Sequence, residues 1–235
     1  TNTTVVPYGW TLMGGAMDLQ GDYVGGYQRE PSLSGDGTII AVGTSNEPLG
    51  KVRVFNYDST ANTWVKQGAT FTPADGLSNS PSMSYDGTIL AIPNATGSTG
   101  AAIYERPTNT STSWTQIGSN IGVGCQKLAL NKNGDILAMT DYTTIYVYQR
   151  DTNYTSSWSL MGSPITMHAT GNQLHIDHVG HTVTCSNYSY NATAFGIVMI
   201  YQYNTSSFAW EHAVTDNQIV QLTWNTWKNS VVAGG

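Results

Sequence analysis

Four glycine turns recur along this chain, at Gly37, Gly87, Gly134 and Gly180, each followed by an apolar run. The turns and runs read PSLSGDGTIIAVG (31–43), PSMSYDGTILAIP (81–93), LALNKNGDILAM (128–139) and LHIDHVGHTVTC (174–185), with a degenerate fifth, LTWNTWKNSVVAGG, at 222–235. Trp10, Trp64, Trp114, Trp158 and Trp210 keep the same beat. A period of about 47 residues has the size of a propeller blade or a solenoid unit.

Each unit divides into four short runs rich in β-branched and aromatic residues, bounded by Gly, Asn, Asp or Pro; in the first unit these fall near 30–34, 38–43, 51–57 and 63–68. The Asp36-Gly37 and Asp86-Gly87 pairs supply the positive φ of a tight hairpin, so the first two runs pair antiparallel. The second run, Thr38-Ile39-Ile40-Ala41-Val42, is apolar on consecutive positions, as a strand covered on both faces must be. The third alternates, as in Ile145-Tyr146-Val147-Tyr148, and the fourth opens on Trp. Residues 3–8 and 9–14 resemble a third and a fourth strand, which the fifth unit lacks. The reading is an all-β, five-bladed propeller in one domain. Its four-stranded blades lie at about 28–70, 78–119, 125–166 and 172–214, and the fifth joins 218–235 to 1–15. Closure of this kind removes the exposed strand edges of an open array.

The LSGDGTIIAVG segment followed by GKVRVFNYD, and MSYDGTILAI followed by TGAAIYER, resemble the FG-GAP or integrin-α-like propeller repeats. That resemblance implies a propeller. The calcium loops of that family carry several Asp in a row, whereas the turn here offers one, Asp36, so calcium is not carried over. The sialidase Asp-box is also unmatched, since Gly37 is followed by Thr-Ile rather than by a spaced Trp.

Charged residues make up 10% of the chain, against roughly a quarter in ordinary globular domains. The net charge is −6 and the 9 Lys and Arg are scattered, so there is no basic stripe for phosphates and nucleic acid is excluded as a partner. No apolar stretch approaches the ~20 residues of a membrane span. The chain opens on Thr1 without a charged-then-apolar leader, as expected of a processed or excised segment.

Seven Asn-x-Ser/Thr sequons, at Asn2, Asn94, Asn109, Asn153, Asn187, Asn191 and Asn204, fall outside the predicted strands and are candidate N-glycan acceptors. Trp224 and Trp227 occupy an enlarged turn in the fifth unit and are candidate contacts for a partner or ligand. Cys125 and Cys185 fit one disulfide or two buried thiols, the sequence alone leaving open the ~5–6 Å Cα separation a bridge requires.

His175, Asp177, His178 and His181 form the densest polar group. They suit zinc if they converge, or else they replace the Ser, Asp and Thr that other units use around the same turn. No reactive-thiol or Gly-x-Ser-x-Gly signature is present. A propeller can bring distant acids together at its mouth, and Asp177 with Asp135 is an example of such a pair. These features predict a non-catalytic extracellular or surface-displayed propeller that acts in assembly or adhesion, without a cofactor. Its expected partners are other protein subunits, including copies of itself, and glycans, covalent or as ligand. A multivalent carbohydrate-binding lectin is the alternative, and a glycan-active hydrolase a third reading.

Overall fold

The computed structural model describes residues 11–19, 30–44, 50–72, 80–93 and 100–213, apart from 123, 142, 152, 154–155, 168–170 and 188–196. Trp224 and Trp227, together with Asn2, Asn94 and Asn191, therefore lie outside the described residues. The described chain is all β, in four antiparallel sheets. The first blade comprises β1 (Ser32–Leu33), β2 (Ile39–Thr44), β3 (Lys51–Asp58) and β4 (Thr63–Phe71), and the second β5 (Ser82–Met83), β6 (Ile89–Pro93), β7 (Ala101–Glu105) and β8 (Thr115–Gln116). The third holds β9 (Lys127–Leu130), β10 (Ile136–Thr140), β11 (Thr144–Arg150) and β12 (Trp158–Leu160). The fourth holds β14 (Gly171–Ile176), β15 (Thr182–Asn187), β16 (Ile197–Asn204) and β17 (Ala209–His212). Within each blade the strands pair in chain order, and the short β13 (Ile165–Thr166) adds a second partner to β11. No helix among the described residues is long and apolar enough to cross a membrane.

The consecutive apolar positions of the second strands face two neighbours. Ile89 and Ala91 pack with Leu128, Leu130, Leu137 and Met139 of the third blade, while Leu90 and Ile92 pack with Ile39, Ala41, Val52 and Val54 of the first. Likewise Leu137 and Met139 face the second blade and Ile136 and Ala138 the fourth. The core is thus a set of interblade layers. A fully buried Ile or Leu contributes ~1.5–3 kcal/mol relative to exposure, and both neighbours are needed to obtain it.

A recurring turn sets the inner hairpin. Ser34 Oγ donates to Asp36 Oδ1 at 2.6 Å and accepts from the Ile39 amide at 3.0 Å, and Ser84, Asp86 and Ile89 repeat this at 2.7 and 2.9 Å. In the third blade Asn131 takes the serine's place, accepting from Asp135 N and Ile136 N. In the fourth, Asp177 accepts from His181 N and Thr182 N. Between blades, Ser32 Oγ accepts from Met83 N and Ser82 Oγ from Leu130 N, each at 3.0 Å, which ties consecutive inner strands together.

The two cysteines do not bridge. Cys125 is packed between the second and third blades and Cys185 between the third and fourth, so a whole sheet separates them, and both are free, buried thiols.

Candidate functional site

The residue after each turn's capping side chain differs in every blade: Gly35, Tyr85, Lys132 and His178. Their backbones form a chain from blade to blade. Gly35 N donates to Tyr85 O at 2.7 Å, Tyr85 N to Lys132 O at 2.9 Å, and Lys132 N to His178 O at 3.2 Å. This uses the amides of the turn tips and leaves the side chains free to face one another at the axial end of the sheets.

The axial depression has a volume of about 150 Å³. It is lined by the apolar side chains of Leu33, Met83, Leu130 and Ile176, the last residues of β1, β5, β9 and β14, and by Gly35, Tyr85, Asn131, Lys132 and His178. Lys132 Nζ stands 4.9 Å from the centre of the Tyr85 ring, a cation–π contact. His178 meets the same ring edge-on at 6.5 Å. The Tyr85 ring extends over the first blade because position 35 is glycine: a Cβ there would lie 2.0 Å from Tyr85 Cε2. Tyr85, Lys132 and His178 are all exposed. Together they present an aromatic ring, an ammonium and an imidazole beside apolar side chains, an arrangement suited to a small polar molecule with one apolar side.

The histidine-rich stretch is dispersed by its own hairpin. Asp177 caps the turn, His181 packs on Tyr203 at 5.9 Å, His178 turns to the axial depression and His175 is exposed on β14. Among the described residues no group of three or more His, Cys, Asp or Glu could hold a metal. Asp135 is likewise held in its own turn by Asn131 Nδ2 at 2.7 Å, so Asp135 and Asp177 each serve a separate hairpin. Desolvation pushes the Cys185 thiol up to about 12 and the Cys125 thiol higher still, so neither supplies a thiolate nucleophile.

Among the sequons, Asn109 and Asn153 are exposed in the loops before β8 and β12. Asn204, expected in a loop, ends β16; its amide donates to Glu211 Oε1 at 2.8 Å while its Oδ1 accepts from Ser206 N and Ser207 N. Asn187 is the last residue of β15, paired with Ile197 and Gly171, so it too is at a strand end rather than in a loop.

No family model and no curated protein matches this sequence. Solved structures do. A putative 6-phosphogluconolactonase from Bacteroides uniformis matches with a TM-score of 0.62 at 11% identity, covering 91% of this chain and 61% of that one. The periplasmic gluconolactonase of Pseudomonas aeruginosa matches at 0.55 and 15% identity, covering 78% and 55%. A hypothetical selenium-binding protein from Sulfolobus tokodaii matches at 0.56 and 10%, covering 79% and 53%. The chain spans 53–61% of the length of these structures.

The fold is therefore of β-propeller type, a coarser likeness than the FG-GAP repeats in particular. The lactonases among these structures overturn the expectation of a non-catalytic assembly or adhesion subunit. The glycoprotein, adhesion and lectin expectations find no support in these likenesses.

Proposed function

We propose that this chain is a propeller enzyme of lactonase type, which takes a sugar-derived lactone in the axial depression and opens it by hydrolysis. The observation that carries this reading is the convergence of Tyr85, Lys132 and His178 from three consecutive blades on one small concave surface. An exposed Tyr ring offers its face to the C–H side of a pyranose-like ring. A neutral imidazole is the side chain best suited to take a proton from water near pH 7, which assigns His178 as the general base. The lactonases among the similar structures support the choice of substrate class. The test is acid release from glucono-δ-lactone at constant pH, corrected for spontaneous opening. The native chain should exceed the blank, and His178→Gln should fall to it with the fold intact by circular dichroism; equal rates in both proteins would overturn the reading.

We propose further that the array has a fifth blade, at about 218–235 and 1–15, whose outer edge is the segment around Met13. Met13 O accepts from Trp64 Nε1 at 2.9 Å and Gly14 has φ +73°, just as Met161 O accepts from Trp210 Nε1 at 2.6 Å and Gly162 has φ +78°. The first blade thus meets residues 13–14 in the way the fourth meets the outer edge of the third. Deleting residues 1–14 should unfold the ring, and unchanged stability would remove the fifth blade.

A further inference from the structure

The four turns around the axial depression carry one carboxylate each, and all four are committed to their own hairpins. Asp36 accepts from Ser34 Oγ, Thr38 N and Thr38 Oγ1; Asp86 accepts from Ser84 Oγ, Thr88 N and Thr88 Oγ1. Asp135 accepts from Asn131 Nδ2, and Asp177 from two backbone amides. Lys132, by contrast, is exposed, and among the described residues it has no carboxylate within ion-pair range; its ammonium stands over the Tyr85 ring. The amides that would hydrate or cap the rim are spent in the blade-to-blade chain from Gly35 to His178. In a chain of net charge −6, Lys132 is the one Lys, Arg, Asp or Glu among the described residues that line the depression, while the turn carboxylates stand outside its lining.

We propose that the axial depression recognises its ligand through an anionic group, a carboxylate or a phosphate, held by the Lys132 ammonium while the ligand ring lies on Tyr85. This deepens the lactonase reading and rests on the same depression. It makes Lys132 a specificity residue and not part of the hydrolytic step. The ring beneath the ammonium fixes where the cation stands, so an incoming anion meets a charge already in place. Gly35 has a defined part, since any side chain there would push the Tyr85 ring off the depression.

Calorimetric titration of the full chain with inorganic phosphate, sodium gluconate and glucose tests the proposal. One or both anions should bind and neutral glucose should bind at least tenfold more weakly. The phosphate and gluconate arms tell a phosphate from a carboxylate group. Lys132→Met should weaken anion binding at least tenfold, while Lys66→Met, on β4, should leave it unchanged and so exclude a general charge effect. Equal anion affinity in Lys132→Met, no anion binding by the native chain, or glucose binding as tightly as gluconate would each overturn it. The two proposals fail separately. Anion binding lost in Lys132→Met without any lactone hydrolysis removes the enzymatic reading alone, and hydrolysis indifferent to Lys132→Met and to added anion removes the anion site alone.

Discussion

Gly180 of the fourth blade closes on Ile136 of the third so tightly that a Cβ built at the glycine would lie 2.3 Å from Ile136 Cδ1. Gly134 stands in the same relation to Ile89, at 2.7 Å, and Gly87 to Ile39, at 2.4 Å. Each turn glycine thus does two things: it takes a positive φ, +73° at Gly87 and +83° at Gly180, and it lets a blade dock on its predecessor. Gly37, at φ +71°, has nothing within 4 Å of the same built atom.

The two roles separate by mutation. Gly37→Ala should cost about 1 kcal/mol, the backbone penalty alone. Gly87→Ala and Gly180→Ala add displacement of a buried isoleucine and should cost about 2–4 kcal/mol. Urea denaturation of the three variants checks this, and equal losses would show that the glycines matter for φ only.

These turns also mark what was legible in the sequence. The Asp36-Gly37 and Asp86-Gly87 hairpins, the doubly covered run from Ile39 to Val42 and the four-strand unit follow from local rules, because turn chemistry and alternation act over a few residues. The interblade tryptophan contact was half legible. The Trp beat was visible, but the partner glycine four residues on (Gly68, Gly118 and Gly162, each at positive φ) escaped notice. The axial depression was missed for a different reason. Tyr85, Lys132 and His178 occupy one repeated position but share no chemistry, so only their alignment in the turn, next to Gly35, could have found them. The sequence left a disulfide and two buried thiols open for Cys125 and Cys185 because a repeat register fixes a cysteine's height in its blade and not which face it points to.

Acid should weaken the first two blades through their turn carboxylates. The Ser34 hydroxyl and the Thr38 amide hold Asp36 below its usual range; at Asp86 burial opposes ionisation, but the bonds from Ser84 and Thr88 outweigh it. A carboxylate depressed on folding contributes stability that is whole above the unfolded pKa of ~3.9 and is lost as pH falls through the folded value. Stability should therefore decline below about pH 4, and Asp86→Asn should flatten that decline while lowering stability at pH 7. A variant with an unchanged acid limb would assign the loss to other groups.

The thiols offer a test of the interblade layers. Cys125 and Cys185 are buried and their thiolates strongly disfavoured, the latter with its pKa pushed up to about 12. Native protein at pH 8 should react with a disulfide reagent such as Ellman's at neither thiol, and both should react once it is unfolded. Fast labelling of the folded chain at either cysteine would mean that the layer around it opens on its own.

The outer tryptophans should differ in what their N–H contributes. Trp210 Nε1 donates to Met161 O at 2.6 Å, and Trp64 Nε1 to Met13 O at 2.9 Å, whereas Trp158 Nε1 is buried without a partner among the described residues. Phe keeps most of the ring's burial but removes the donor. Trp210→Phe should then cost about 1–2 kcal/mol more than Trp158→Phe, since it leaves the Met161 carbonyl unpaired, while Trp158→Phe relieves an unsatisfied group. The contact of Trp64 is exposed, so Trp64→Phe should cost less than Trp210→Phe in global stability. It should nonetheless raise amide exchange at residues 11–14, because the bond to Met13 fastens that segment to the first blade. Protection at residues 11–14 that is indifferent to Trp64→Phe would show that the segment is held by other contacts, and the analogy between Met13 and Met161 would then lose its energetic content.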